Sequence, residues 1–340
     1  MARPHQPGDG GLRERPFHAW LRATAGRAPK GELPLGDDVA SISLPRGRLL
    51  ITTDAFAEGV HFWRDTSPGL IGSALVQANL SDIASKGGRP IAFLLDVLVP
   101  PETPETWARG VVQGVRRSLA RYGVRLSGGD TKSAAGRTLV GTALGVATSR
   151  KLPGRDRARP GDLFVVTGTV GGGGVAAASL SQGRSVTRRN AVLRAVRARV
   201  PEGERLAGIA HAMTDTSDGV FESIRLISEA SRTGAEIDSG ALPLHRSLRA
   251  RDDAWARQVE LVAYGGDYEL LAAIPPRSLP AARRALTPLD CPLTVIGRVT
   301  SGHGTWLRTP NGWNSLPAAG WDPFHPVPPV GLPRRPGRPA

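Results

Sequence analysis

The sequence is short of cysteine, of lysine and of long apolar runs, and each shortage excludes something. One cysteine, Cys291, stands in 340 residues. No internal disulfide can form, and no zinc site built on several cysteines. A lone thiol fits a reducing cytoplasm, which is the expected compartment. The longest apolar run, Ile91 to Val99, is interrupted by Asp96 and bounded by prolines. That is far short of the ~20 residues that span a bilayer. The opening "MARPHQPGDGG" holds no apolar segment, so neither a secretory signal nor a membrane partner is expected.

Lysine occurs only at Lys30, Lys86, Lys132 and Lys151, among 44 basic residues. The net charge of +14 therefore rests on arginine. The arginines are scattered, with small clusters at Arg116-Arg117, at "GRDRAR" and at "RRPGR". No aromatic stacking pattern accompanies them, so a solvated basic surface is expected rather than a nucleic-acid partner.

What is present suits a globular protein of two ordinary domains or one large one. Glycine and proline are abundant but spread along the chain, which reads as loops and turns. Strand signals at Leu49–Thr53, Ile91–Val99, Val124–Leu126, Leu139–Ala147 and Leu163–Thr167 alternate with helical spacing. Leu70, Ala74, Leu75 and Ala78 mark one helix, and Trp107, Val111, Val115 and Leu119 a second. A third runs from Val220 through Ile224 and Ile227, and further strands lie near Leu270 and Val295. The polar, turn-rich "SRKLPGRDRARPGD", Ser149 to Asp162, is the expected boundary. It separates an N-terminal domain at 13–148 from a C-terminal domain at 149–325, each mixed α/β. Residues 1–12 and 326–340 read as flexible tails.

Chemistry is suggested by acids set among small residues: "GDD" (Asp37, Asp38), "TTD" (Asp54), "NLSD" (Asp82), "GGD" (Asp130) and "DTSD" (Asp215, Asp218). Asp54 follows an apolar strand and has no cation among its immediate neighbours. Taken singly, each motif reads as a turn or a helix cap. Asp215 to Asp218 could cap the helix from Val220. Asp82 falls on a helix with Asn79 one turn earlier on the same face. Five clusters in one chain change the balance. Carboxylates gathered at ~4 Å repel by roughly 4 kcal/mol per pair near a surface, and magnesium, which prefers oxygen ligands, would relieve that. Thr52, Thr53 and Ser217 add hydroxyls. "GTVGGGG", Gly168 to Gly174, either cradles phosphate on backbone N–H groups or makes a tightly packed turn. Walker A, dinucleotide and protein-kinase signatures are absent.

In order along the chain stand "GDDVA", "TTDAFAEGVHF", "NLSDIASKGGRP", "SGGDTK", "VTGTVG", "DTSDG", "GGDYEL" and "IGRV". The chain resembles the thiamine-monophosphate kinase family, within the superfamily of aminoimidazole-ribonucleotide synthetase, from about Gly36 to Trp321. The resemblance implies a two-domain α+β or α/β fold, with an N-terminal mixed sheet used in dimerisation and a C-terminal α/β domain. It implies a homodimer, with ATP as co-substrate, magnesium as cofactor and thiamine monophosphate as acceptor. By motif match, Asp38, Thr52, Thr53, Asp54, Asp82, Asp130, Asp215 and Asp218 would be metal ligands. Gly129, Asp130, Arg155 and Ser217 would contact ATP. His61 would touch the acceptor's phosphate and Trp321 would stack on thiamine. Transfer would be direct and in line, needing no strong general base because the acceptor is already an anion. Two departures stand out. The family's glycine-glycine-glutamate-aspartate-tyrosine run appears as "YGGDYEL", with Gly266 or a deletion where the first glutamate stands. Lys86 replaces a usually apolar residue.

Overall fold

The computed structural model describes residues 32–34, 37–44, 47–181, 190, 193, 194, 196–249, 259, 261–317 and 320. The tails expected at 1–12 and 326–340, and Trp321, lie outside the described residues.

The N-terminal part is one mixed sheet covered on one face by two helices. Its strands are β1 (Ala40–Leu44), β2 (Gly47–Ala57), β3 (Gly88–Val99), β4 (Arg125–Gly128), β5 (Thr131–Ser133) and β6 (Thr138–Ala147). They run in the order β1-β2-β6-β3-β4, with β5 also beside β3. Strand β3 is antiparallel to β6 and parallel to β4 and β5. Period-2 alternation sends Leu50 and Phe56 of β2, and Leu139 and Ala143 of β6, into the core. Helices α1 (Pro68–Ser85) and α2 (Glu105–Ala120) cover that face. Helix α2 is amphipathic and buries Trp107, Val111, Val115 and Leu119 as its spacing predicts. Helix α1 is buried on nearly every side. Glycine lets the two helices meet closely: a Cβ on Gly114 would stand 2.0 Å from the Gly69 carbonyl oxygen.

The C-terminal sheet holds β7 (Leu163–Thr167), β8 (Ala212–Asp215), β9 (Gly234–Asp238), β10 (Leu270–Ile274), β11 (Leu293–Thr300), β12 (Thr305–Thr309) and β13 (Gly312–Ser315). Their order is β13-β12-β9-β11-β7-β10-β8. Helices α3 (Gly172–Ser181), α4 (Val200–Leu206) and α5 (Val220–Ser231) belong to this half. Its strands β7 and β10 are covered on both faces, which is why they read as unbroken apolar runs. Phe164, Val166, Leu271 and Ala273 pack with Phe221, Ile224 and Ile227 of α5. On the other face Val165, Leu270, Ala272 and Ile274 join Leu50, Ile83 and Phe93 in one cluster. The N-terminal core thus continues through α1 into the second sheet, and α1 lies against both β8 and α4. That junction is where the acids collect.

Several elements differ from their sequence readings. The strand expected to stop near Thr53 continues to Ala57, so Asp54 sits inside β2 rather than at its end. Its ladder with β6 holds the chain extended through "DAFA". Helix α3 begins within the glycine run itself, at Gly172. Helix α5 is not capped by an aspartate: its N-cap is Gly219, with no side-chain cap hydrogen bond.

Candidate metal centre

Four aspartates from distant parts of the chain meet at the junction. Alternation along β2 turns Thr52 and Asp54 to one face and Thr53 to the other. Thr52 Oγ1 donates to Asp82 Oδ2 at 2.6 Å, which ties β2 to α1. Ser81 Oγ donates to Asp215 Oδ2 at 2.8 Å, which ties α1 to β8. Ser217 Oγ donates to Asp215 Oδ1 at 2.9 Å. Oxygens of Asp38, Asp82 and Asp215 lie within 4.8 Å of one another. Asp54 adjoins them, close enough for the charges of Asp215 and Asp38 to act on it.

These carboxyls carry the marks of repulsion in a dry place. Burial, then the charges of Asp215 and Asp38, push Asp54 up to about 6. Burial also lifts Asp82 well above the carboxylate range, with Asp54, Asp215 and Asp38 adding to it. Asp215 is raised by burial and by Asp38. In each case burial and neighbouring carboxylates outweigh what favours the anion, which for Asp215 includes the charge of Arg155. The donor set is made of hard oxygens alone: carboxylates, with the hydroxyls of Thr52, Ser81 and Ser217 bonded to them. That set fits magnesium. Asn79, fully buried on the same helix, also leaves its Oδ1 without a hydrogen-bond partner among the described residues.

Asp38 behaves in the opposite way. Burial works against its charge, yet Arg155 and Lys86 hold it well below the usual carboxylate range. Lys86 Nζ lies 2.7 Å from Asp37 and 2.5 Å from Asp38. Arg155 Nη2 pairs with Asp38, its backbone N–H donates to Asp37 Oδ2 at 3.0 Å, and its Nε donates to Thr214 Oγ1 at 3.1 Å. Asp37 and Asp38 stabilise both cations in return, against the burial that opposes their charge.

The remaining expected residues lie elsewhere or at the margin. Thr53 is exposed on the far face and donates to the Gly141 carbonyl. Asp130 is exposed and paired with Lys132 at 2.8 Å; Gly129 packs beside it against the Leu95 backbone. Neither reaches the acidic cluster within this chain's described contacts. Asp218 lies near Arg155 and Tyr268, whose properties its charge affects. His61, in the turn after β2, stacks on Phe56 with ring centroids 5.0 Å apart and is held below its ordinary value by burial.

The glycine loop is engaged by protein. Gly171 and Gly173 donate their N–H groups to Asp267 of "YGGDYEL" at 2.7 and 2.9 Å. That segment also returns to the acids: Gly266 N–H donates to the Ser217 carbonyl at 2.7 Å. Tyr268, partly buried and at φ 54°, a backbone region uncommon outside glycine, has its hydroxyl raised by desolvation and by Asp54. Lys86, Ser81, Thr214 and Tyr268 were not singled out from the sequence as site residues. Lys86 carries one usable signal, since it follows Asp82 by four and so shares its helix face.

The fold has relatives among known proteins. Residues 36–147 match the AIR synthase related protein, N-terminal domain, and residues 159–308 the C-terminal domain. A thiamine-monophosphate kinase of Pyrococcus abyssi is 32% identical over 295 residues, 85% of this chain and 90% of that one. The crystal structure of tt0281 from Thermus thermophilus is 29% identical with a TM-score of 0.80, covering 92% of this chain and 100% of that one. AaThiL, solved complexed with AMPPCP and TMP, is 25% identical with a TM-score of 0.77, covering 92% of this chain and 99% of that one. The chain belongs to the thiamine-monophosphate kinase family, among the AIR synthase related proteins.

Proposed function

We propose that the protein transfers the γ-phosphoryl group of ATP to thiamine monophosphate, giving thiamine diphosphate, with magnesium as cofactor. The observation that carries this reading is the convergence of Asp54, Asp82 and Asp215 beside Asp38. Relatives named thiamine-monophosphate kinase, and a structural relative holding AMPPCP and TMP together, support the choice of donor and acceptor.

Asp54, Asp82 and Asp215 would hold magnesium, with Thr52, Ser81 and Ser217 fixing the directions of their oxygens. Bound magnesium supplies positive charge at the transferred phosphoryl group. Arg155 braces Asp37 and Asp38 from beneath and, with Ser217, Gly129 and Asp130, would contact ATP. His61 would meet the acceptor's phosphate and Trp321 its ring. Rate enhancement would come from positioning and charge neutralisation, which suits a site rich in acids without an acid–base pair. The protein would act as a homodimer through the uncovered face of the N-terminal sheet, where Ile42, Leu44 and Ile91 are exposed.

The test is incubation with ATP, magnesium and thiamine monophosphate, with diphosphate formation followed by phosphorus NMR. Failure to form product while ATP still binds overturns the reading. A second acceptor is favoured by one observation: Gly266 carries no side chain and sits at φ 80°, a conformation that resists a glutamate. A thermal-shift screen of phosphorylated acceptors separates the two. Stabilisation by thiamine monophosphate alone removes the second reading.

A further inference from the structure

The acidic site contains a cation of its own. Lys86 caps α1, four residues beyond Asp82, and its side chain is fully buried. An ammonium has three protons to donate, and here it has three acceptors: Asp37, Asp38 and the Met213 carbonyl. Asp38 is filled in the same way. Its Oδ1 accepts from Arg155 Nη2 and from Thr214 Oγ1 at 2.9 Å. Its Oδ2 accepts from Ser85 Oγ at 2.8 Å and pairs with Lys86. Those four partners match the roughly four lone-pair sites of a carboxylate. In this corner two acids meet two cations and the charges balance. Asp54, Asp82 and Asp215 make no ion pair with lysine or arginine among the described residues.

We propose that the Lys86 ammonium takes the place of one divalent ion, so that metal is carried by the Asp54, Asp82 and Asp215 side of the cluster alone. A magnesium ion at Asp38 would have to displace a hydrogen bond that is already made and would stand between two fixed positive charges. A lysine there keeps the corner neutral whether or not metal is bound. It also holds α1 against β8, through Met213, before any nucleotide arrives. The inference rests on the metal-dependent reading above and refines where the metal goes.

The test counts ions. Mn2+ bound per chain is measured by equilibrium dialysis and electron paramagnetic resonance, with AMPPCP present and thiamine monophosphate absent. Lys86→Met is expected to bind one ion more than the wild type, and an equal count in the folded variant overturns the proposal. Because that variant leaves two buried acids without their ammonium, a second one keeps the test open. Asp38→Asn in the Lys86 background is expected to keep the wild-type count, whereas Asp82→Asn weakens Mn2+ binding at least tenfold. Loss of an ion in Asp38→Asn overturns the proposal. A wild type that binds no Mn2+ overturns it together with the metal-dependent reading. The acceptor is not in the assay, so a failed kinase reaction and a failed ion count are read apart.

Discussion

Asp38 and Asp82 offer oxygens within 4.8 Å of each other, both are partly buried, and their carboxyls are displaced in opposite directions. Burial alone raises any carboxyl. The difference lies in the neighbours. Asp38 faces Lys86 and Arg155; Asp82 faces Asp54, Asp215 and a threonine hydroxyl. One half of the cluster is neutralised by the chain itself, and the other half awaits a charge from outside. Helix α1 serves both, since it carries Asp82 on its last turns and Lys86 at its end.

The comparison breaks most severely at Lys86. Lys86→Met should destabilise the magnesium-free protein by about 3–5 kcal/mol, the usual cost of stripping one partner from a buried ion pair. Differential scanning calorimetry in EDTA should show this, and added magnesium should restore part of the loss. An unchanged Tm would mean that Asp37 and Asp38 need no internal counter-charge. Asp54→Asn tests the other half. Without metal it removes repulsion, so its Tm in EDTA should equal or exceed that of the wild type, whereas Asp38→Asn should fall below. Turnover should drop by about 10²-fold or more, as when an enzyme loses a group aimed at developing charge. Diphosphate formation under saturating magnesium checks it. A Tm for Asp54→Asn well below the wild type would show that Asp54 already has a partner without metal.

The amphipathic helices and buried strands could be read from periodicity because their burial is one-sided or complete. Trp107, Val111, Val115 and Leu119 face the core at four-residue spacing, and "LFVVT" is unbroken because both its faces are covered. Short exposed pieces such as β13, whose four residues all face solvent, leave no such trace. The acids could be found as residues, through their setting among small neighbours. Their division into two electrostatic halves could not. It depends on Arg155 meeting Asp38 across 117 positions and on Ser81 meeting Asp215 across 134, and no local pattern encodes such pairings. The glycine loop shows the limit from the other side. Its N–H groups suggest an anion from outside, and the group they hold is the Asp267 carboxyl.

Asp267 extends the comparison to an acid satisfied by backbone alone. Burial pushes it up to about 7, against the N–H groups of Gly173 and Gly171 that favour its charge. A folded carboxyl that keeps its proton longer than the unfolded one stabilises the protein most at low pH. That contribution is complete below the unfolded value of 3.8 and is lost as pH rises through about 7. Urea midpoints in EDTA should therefore be lower at pH 8 than at pH 5, and Asp267→Asn should flatten part of that slope. An unaltered slope would assign it to the other raised acids, Asp54, Asp82, Asp215 and Glu269.

The mildest test concerns hydroxyls. Ser81 is fully buried and gives Asp215 a hydrogen bond but no charge. Ser81→Ala should cost roughly 1 kcal/mol, as for one ordinary hydrogen bond, measured by calorimetry in EDTA. The rise in Tm on adding magnesium should survive, because the oxygens of Asp54, Asp82 and Asp215 remain. A loss as large as that of Lys86→Met would mean that a hydroxyl does for Asp215 what an ammonium does for Asp38. The two halves of the cluster would then differ in geometry rather than in charge.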